Sequence, residues 1–402
     1  MTVGPGRRCA WFVNDSLDTE RNAMAGQDFL GRRLGQGRGV RHVHTVVGVV
    51  LSITASNLFD GFEMRGPSTV SWEDGLIVEI RDAQPHEDTH VDLLSPGYID
   101  LQVNGVGDRR VADHPFDLAP IAELLSVQGV TTWLPTVPTQ RADFYALENI
   151  DALVGACVLP PHLPQAVGVH CEGPLLGGKP GAHRSDHFAA SPSILDALAL
   201  ARMVTLAPEH PLASEATSFL AARGVLVALG HTTATSKQVD EFVRRGGRCA
   251  THLFNAMSGI DHVTGGVALS VLNDSRIAFS MIVDLEHVSA EVVAHAWRHA
   301  ADRMFLVSDQ ISTIVDASMN DSARLRGARV GLDQGVRNLV QSCRVPIGDA
   351  LAAASRIPAE VLGLSDRGQL SVGRRADFVL LDADLSVTGV VCSGFPSKDL
   401  SV

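Results

Sequence analysis

The stretch "AVGVHCEGP", residues 166–174, is a short apolar run that ends in Glu172 and is followed at once by a Gly-Pro pair. A continuous run of this kind is typical of a strand that is buried on both faces. One carboxylate at the end of one strand carries little weight. The useful test is whether other apolar runs of the chain end in the same way.

Four other apolar runs lead into histidine or aspartate. "GVLVALGH" ends at His231, "GRCATHLFNAM" contains His252, "IAFSMIVDLEH" leads to Asp284 and His287, and "RMFLVSD" ends at Asp309. Each is rich in aliphatic or aromatic residues and is followed by turn residues and a helix-like segment. The chain therefore repeats one pattern, in which a buried strand delivers a polar side chain to its carboxyl end.

Eight such runs lie between residues 96 and 309, and most are separated by amphipathic stretches. The runs are "YIDLQV", "VTTWLPT", "AVGVHCE", "RMVTLAP", "GVLVALGH", "RCATHLF", "IAFSMIV" and "MFLVSD". The amphipathic stretches are residues 117–128, 141–156, 193–200, 214–223, 236–245 and 289–300. This alternation predicts an α/β fold, a (β/α)8 TIM-like barrel, whose active site lies at the carboxyl ends of the strands.

Alternating, strand-like segments flank the barrel on both sides. "VVGVVLSITASNLFDG" and "STVSWEDGLIVEIRD" precede it, and "ADFVLLDADLSVTGVVCSG" follows two further helices near residues 333–341 and 347–362. We expect a small β-sandwich domain built from both chain ends, residues 41–95 and 368–402, beside a barrel of residues 96–367. Residues 1–40 contain seven glycines and six arginines, and this composition predicts a flexible extension.

Composition narrows the class of partner. With 33 basic and 45 acidic residues the net charge is −12, which argues against a nucleic-acid or anionic-membrane surface and favours a small-molecule partner. The six cysteines are scattered without a CxxC pair, as in a reducing compartment. No run approaches the roughly 18 apolar residues of a transmembrane helix. The sequence thus predicts a cytoplasmic protein.

The polar residues at the strand ends form a plausible metal-hydrolase set. Glu172, His231 and His252 supply one carboxylate oxygen and two imidazole nitrogens, which suits Zn²⁺ or Fe²⁺ and leaves a position for water. Such an ion lowers the pKa of that water towards neutrality. Asp309, at the end of the last strand, is placed to accept the proton and to deliver it to a leaving amine.

Each of these residues also has an ordinary structural role. A glutamate before Gly-Pro is common in turns, a histidine after glycine is common in solvated loops, and Asp309 is a suitable helix N-cap. Their position at corresponding ends of successive strands favours the functional interpretation.

Over residues 53–394 the sequence resembles the N-acetylglucosamine-6-phosphate deacetylases of the amidohydrolase superfamily. The motifs that carry the resemblance are "PGYIDLQVNG", "HCEGPLL", "GAH", "LGHTTAT", "THLFNAM", "LVSD" and "GRRADFVLLD". "HLFNAM" and "EGP" at this spacing are specific, whereas "LVSD" alone is weak. The resemblance implies hydrolysis of the N-acetyl group of N-acetylglucosamine 6-phosphate to acetate and glucosamine 6-phosphate.

The resemblance also implies roles for individual residues. The metal ligands match Glu172, His231 and His252, and the catalytic acid/base matches Asp309. Two further histidines match substrate contacts: His287 near the scissile amide and His183 at the sugar. Asn255 and Ala256 match the loop that meets the phosphate. The family fold is a (β/α)8 barrel with a small β-sandwich, usually a homodimer.

The first strand ends in Gln102-x-Asn104, where many amidohydrolases have His-x-His. Amides are poorer metal ligands than imidazoles, so we expect one divalent metal ion per subunit, Zn²⁺ or Fe²⁺.

The chain departs from the family pattern at three places. Val263 stands where an arginine usually grips the phosphate, and valine offers no charge-assisted hydrogen bond. Lys179, Arg184 and His262 are conceivable substitutes. Gln310 follows Asp309, the loop after it is shortened, and Leu285 replaces a small residue. The alternatives are therefore an amidohydrolase acting on an unphosphorylated or different N-acyl substrate, and a non-catalytic amino-sugar-binding relative.

Overall fold

The computed structural model describes residues 49–113, 115–184, 187, 192–311 and 327–397. The flexible extension predicted for residues 1–40 and most of the shortened segment after Asp309 lie outside the described residues. No helix in the described part of the chain is long and apolar enough to cross a membrane.

The described chain begins with five strands that belong to the small sheet. They are β1 (Leu51–Phe59), β2 (Met64–Arg65), β3 (Ser68–Glu73), β4 (Leu76–Asp82) and β5 (Val91–Pro96).

All eight strands predicted for the barrel are present. The strands of this part of the chain are β6 (Tyr98–Val103), β7 (Gly105–Val106), β8 (Arg109–Arg110), β9 (Val130–Pro138), β10 (Gln165–Ala166), β11 (His170–Glu172), β12 (Met203–Leu206), β13 (Leu226–Leu229), β14 (Cys249–Ala250), β15 (Ala278–Met281) and β16 (Met304–Leu306). β7 and β8 form a hairpin at the carboxyl end of β6, and β10 is an extra two-residue strand beside β9. The other eight run parallel in the order β6-β9-β11-β12-β13-β14-β15-β16.

The barrel is nearly closed by contacts between its first and last strands. The backbone N–H of Asp309 donates to the carbonyl of Gln102 at 2.9 Å, and Val103 forms a parallel bridge with Gln310. The fold class expected from the sequence is therefore confirmed. The carboxyl ends of all eight strands meet at one mouth, as in other barrels of this type.

Ten α-helices are described, and most follow the predicted amphipathic stretches. They are α1 (Ala119–Ser126), α2 (Leu147–Ala156), α3 (Leu195–Leu198), α4 (Ala213–Ala221), α5 (Ser236–Arg244), α6 (Val267–Asn273), α7 (Ala290–Ala300), α8 (Leu332–Gln341), α9 (Ile347–Ala354) and α10 (Arg356–Leu362). α5 begins with a capping box in which Thr235 and Gln238 satisfy each other's backbone N–H groups.

Two helical predictions need correction. The helix predicted for residues 347–362 is two helices, because Ser355 leaves the helical conformation at φ −134°. Pro358 explains the break: it has no N–H to donate to the carbonyl of Ala354. The helix α6 was not predicted, since its sequence "VALSVLN" has almost no polar face to reveal a helical period.

The chain ends complete the small sheet. β17 (Phe378–Leu381), β18 (Val387–Cys392) and β19 (Phe395–Pro396) extend it in the order β19-β18-β17-β5-β1-β3-β4, with β2 beside β1. The rings of Trp72 in β3 and Phe378 in β17 lie 5.3 Å apart, although two strands separate β3 from β17 within the sheet. The sheet therefore curls over its own apolar core, which gives the small sandwich-like unit expected from both chain ends.

The interior of the barrel contains a chain of hydrogen bonds below the mouth. The imidazole of His170 lies between Thr136 Oγ1, at 3.3 Å, and Thr205 Oγ1, at 2.8 Å, and Thr205 Oγ1 lies 2.7 Å from Thr251 Oγ1. All four side chains are buried, and burial lowers the pKa of His170 to about 4. This histidine is therefore neutral and links three strands.

Asp100 is the buried carboxylate that links β6 to the segment after β16. Its Oδ1 accepts from the backbone N–H groups of Gln102 and Ser308, both at 3.2 Å. Burial raises the pKa of this carboxyl from 3.8 to about 6. The folded protein thus binds this proton more tightly than the unfolded chain, so the contribution of Asp100 to the free energy of unfolding decreases as the pH rises from about 4 to 6.

Replacing Asp100 by Asn keeps one oxygen for both N–H groups and removes the titration. We expect the variant to be about 1–3 kcal/mol more stable than the natural protein at pH 7.5, with the difference vanishing near pH 4. Urea unfolding at several pH values measures this. Asp92→Asn, at an exposed position of β5, is the matched control. A stability difference that does not change with pH would contradict the assignment.

Candidate active site

Glu172 is the centre of the mouth. It ends β11, is 4% exposed, and its Oε1 lies 2.9–3.0 Å from three nitrogens on other strands or strand ends. These nitrogens are Nε2 of His231, Nε2 of His252 and Nε2 of Gln102. The predicted ligand residues therefore meet at one carboxylate oxygen.

His231 and His252 follow β13 and β14 and share an unusual backbone. Their φ angles are +50° and +33°, in the left-handed region that non-glycine residues seldom adopt. Nδ1 of His231 donates to the carbonyl of Lys179 at 3.2 Å, so the neutral ring carries its proton on Nδ1 and a lone pair on Nε2. The buried Nδ1 of His252 has no hydrogen-bond partner among the described residues.

His183 joins this cluster from the loop that follows β11. Its Nε2 lies 3.5 Å from Glu172 Oε2, and its ligand atom lies within 4.8 Å of those of Glu172 and His231, a spacing compatible with a shared metal ion. The backbone N–H of Thr139 donates to Nδ1 of His183 at 3.2 Å. The same Nδ1 lies 2.9 Å from the hydroxyl oxygen of Thr139, so Thr139 holds this ring by two contacts.

Asp309 lies beside this cluster, after β16. It is 9% exposed, and its Oδ1 accepts from Asn104 Nδ2 at 2.7 Å. Burial raises the pKa of Asp309 to about 8, and the negative charge of Glu172 acts in the same direction. By contrast, burial raises the pKa of Glu172, but the imidazoles of His183, His231 and His252 around it outweigh burial and hold that pKa well below its usual value.

His287 follows β15 in a tight turn. Its Nδ1 lies 2.7 Å from Asp284 Oδ2, while Asp284 Oδ1 accepts from the backbone N–H groups of Glu286 and His287. Leu285, at the centre of this turn, has φ +66°. The strained backbone and the carboxylate together fix the imidazole, because a non-glycine residue stays in this conformation only where its surroundings hold it.

The loop that contains Asn255 and Ala256 continues directly from His252. Phe254 and Ala256 have φ angles of +78° and +46°. The carbonyl of Ala256 accepts from the N–H of Thr232 at 3.0 Å, which ties this loop to the one after β13. The buried Nδ2 of Asn255 has no partner among the described residues, so a polar donor is available at this loop.

The residues considered as substitutes for the missing arginine lie at the surface. Val263 and His262 are exposed in a turn held by Asp261, and Val263 is 79% exposed. Lys179 and Arg184 are also exposed, on the loop that carries His183.

Sequence reasoning gave little weight to the amides at the end of β6. Gln102 and Asn104 each donate to a carboxylate of the site, Glu172 and Asp309 respectively. Their alternate spacing on one strand was the available signal, since residues i and i+2 of a strand face the same side.

Known proteins resemble this chain over most of its length. The amidohydrolase family model matches residues 179–395. The N-acetylglucosamine-6-phosphate deacetylase of Bos taurus is 31% identical over 370 residues, which cover 82% of this chain and 90% of that protein. The Haemophilus influenzae deacetylase is 28% identical and covers 75% of this chain and 85% of that protein.

Solved structures give the same result. A point mutant of the N-acetyl-D-glucosamine-6-phosphate deacetylase of Mycobacterium smegmatis, solved in complex with N-acetyl-D-glucosamine-6-phosphate, has a TM-score of 0.78 and 27% identity, covering 87% of this chain and 99% of that chain. The Thermotoga maritima deacetylase has a TM-score of 0.77 at 26% identity, covering 86% and 99% of the two chains. The chain belongs to the N-acetylglucosamine-6-phosphate deacetylase family of the amidohydrolases.

Proposed function

We propose that this protein hydrolyses the N-acetyl group of N-acetylglucosamine 6-phosphate and releases acetate and glucosamine 6-phosphate. The observation that carries the proposal is the convergence of His231 Nε2 and His252 Nε2 on one oxygen of Glu172, at 3.0 and 2.9 Å, beside the buried carboxyl group of Asp309. Family membership supports the same reaction.

The donor set fits a divalent cation. In the neutral ring of His231, Nδ1 donates to a carbonyl and Nε2 carries the lone pair, which faces Glu172 at 3.0 Å. A bound cation would be attracted to both atoms. Glu172, His231 and His252 would hold the ion, Zn²⁺ or Fe²⁺. When bound, it supplies Lewis acidity to the amide and to water.

One ion per chain is the expected stoichiometry. A second site would need ligands from β6, and that strand supplies the amides of Gln102 and Asn104 instead, both committed to hydrogen bonds with carboxylates. Amide groups are weak ligands for zinc or iron.

Asp309 is the group that moves the proton. Asn104 holds Oδ1, so Oδ2 is the oxygen that exchanges a proton with the reacting atoms. It takes a proton from water during attack on the amide and gives it to the nitrogen of the leaving amine. Burial raises the pKa of Asp309, which strengthens its carboxylate as a base towards water and lets its carboxyl group return the proton to the amine.

The remaining residues bind the substrate. His287, fixed by Asp284, contacts the amide; His183 contacts the sugar; and Asn255 and Ala256 meet the phosphate. We also propose a cytoplasmic homodimer, with the barrel spanning residues 96–367 and the small sheet domain built from residues 41–95 and 368–402.

Replacing Asp309 by Asn should remove turnover without removing the metal. We expect kcat to fall about 10²–10⁴-fold, because general acid–base catalysis contributes that range, while metal content by mass spectrometry stays at one ion per chain. Asp302→Asn, at an exposed position before β16, is the control. Retention of turnover within about threefold would argue for a non-catalytic role of Asp309.

Replacing Asp284 by Asn should impair catalysis through His287. The amide can keep its oxygen on the two backbone N–H groups, which turns its NH₂ towards Nδ1 of His287 and forces the other tautomer. We expect kcat/KM to fall about 10–100-fold, as for other residues that orient a catalytic imidazole. Glu286→Gln, at an exposed position of the same turn, should leave the acetate-release kinetics unchanged.

The phosphate preference tests the substrate directly. We expect kcat/KM for acetate release to be about 10–100-fold higher for N-acetylglucosamine 6-phosphate than for N-acetylglucosamine, the range of one charge-assisted contact. Glu172→Gln, which removes the central ligand, controls for contaminating activity. Equal turnover of the two sugars would favour the alternative, an unphosphorylated substrate, for which the exposed position of Val263 is the supporting observation.

A further inference from the structure

Glu209 is a partly buried carboxylate that has no role in the reaction above. It follows β12 in the loop towards α4. Its Oε1 accepts from the backbone N–H of Gly178 at 3.1 Å and from that of Thr233 at 2.7 Å, and its Oε2 accepts from the hydroxyl of Thr232. One side chain therefore binds the loops that follow β11 and β13 to the loop that follows β12.

The close fit of these loops depends on two glycines. A Cβ atom at Gly177 would lie 2.2 Å from Oε1 of Glu209, and one at Gly178 would lie 2.5 Å from Oγ1 of Thr233. At such distances a Cβ atom would force the side chain of Glu209 or Thr233 to shift. The segment therefore approaches Glu209 and Thr233 as closely as its backbone permits.

The segment that contains Gly177, Gly178 and Lys179 contacts both the backbone and the ring of His231. The N–H of Gly177 donates to the backbone carbonyl of His231 at 3.0 Å, and the carbonyl of Lys179 accepts from the ring Nδ1 at 3.2 Å. The same segment continues to His183. The position of Lys179 thus determines the tautomer of His231, since a carbonyl accepts only from a protonated nitrogen.

The charge on Glu209 agrees with this arrangement. Burial raises its pKa, but hydrogen bonds from Thr232, Thr233 and Gly178 outweigh burial and lower it below the ordinary value. An ionised carboxylate offers acceptor sites only, and every described partner of Glu209 is a donor.

We propose that Glu209 is a positioning residue, which holds residues 177–183 over the mouth of the barrel and so fixes the tautomer of His231 and the position of His183. The proposal rests on the proposed function, in which His231 is a metal ligand and His183 contacts the sugar. Glu209 forms no hydrogen bond with either histidine. It acts on them through the backbone of residues 177–183.

The test compares Glu209→Ala with the natural protein by hydrogen–deuterium exchange and by acetate-release kinetics. We expect the peptide that covers residues 176–184 to exchange at least about tenfold faster, and KM to rise about 10–100-fold with a smaller change in kcat. Glu209→Gln keeps one oxygen for the two N–H groups and should restore part of both effects. Gly178→Ala, which pushes against Thr233, should reproduce the loss from the opposite side of the contact.

Glu87→Ala is the matched control, because Glu87 also accepts several hydrogen bonds, from Arg81, Gln84 and Thr69, but lies in the small sheet domain. It should leave the 176–184 peptide and KM unchanged. If Glu209→Ala exchanges and turns over like the natural protein, or if it speeds exchange evenly along the chain without changing KM, Glu209 has no positioning role. Absence of acetate release from the natural protein would instead refute the proposed function, and the exchange data would still decide the role of Glu209.

Discussion

The structure of the mouth depends on one contact, in which the buried carboxylate of Glu172 faces the imidazole nitrogens of His231 and His252. Removing an ionised carboxylate from water costs several kcal/mol unless partners replace the hydration. Here Gln102 donates to Oε1, and His231 and His252 lie at 2.9–3.0 Å from the same atom. Either protons or a cation must lie between atoms this close. The loop after β11 supports the proposed cation, because the carbonyl of Lys179 accepts a hydrogen bond from Nδ1 of His231, on the far side of the ring.

The residues that form and surround this contact have an unusual backbone conformation. Six non-glycine residues that follow barrel strands have positive φ, each at a cost of roughly 1–2 kcal/mol. They are His231 (+50°), His252 (+33°), Phe254 (+78°), Ala256 (+46°), Leu285 (+66°) and Asp309 (+47°). Straight strands would carry these side chains past the centre of the mouth. A left-handed residue at the strand end turns the chain sharply, and the closed barrel supplies the rigidity that keeps these residues strained.

Much of this could be predicted from the sequence, because the barrel strands are continuous apolar runs and the functional residues stand at their ends. All eight strands were found where the runs predicted them. Contacts between loops were not predictable: the bonds of Glu209 to Gly178 and Thr233, and that of Thr139 to His183, join segments whose approach depends on the finished fold. The apolar helix α6 and the break at Ser355 were missed for local reasons, a weak helical period and a proline three residues after the break.

The two buried carboxylates of the mouth differ in what surrounds them, and this difference supports the roles proposed for them. Glu172 faces three imidazoles, which outweigh burial and keep its pKa low, so it remains an anion suited to a cation. Asp309 has one amide donor, Asn104, and the nearby charge of Glu172 adds to the effect of burial, so that its pKa rises to about 8. Groups whose environments separate their pKa values in this way divide the work of a hydrolase, one binding charge and the other carrying the proton. The separation arises from the barrel itself, because β11 ends among the histidines that follow β13 and β14, whereas the carboxyl group of Asp309, after β16, accepts a hydrogen bond from the amide of Asn104, after β6.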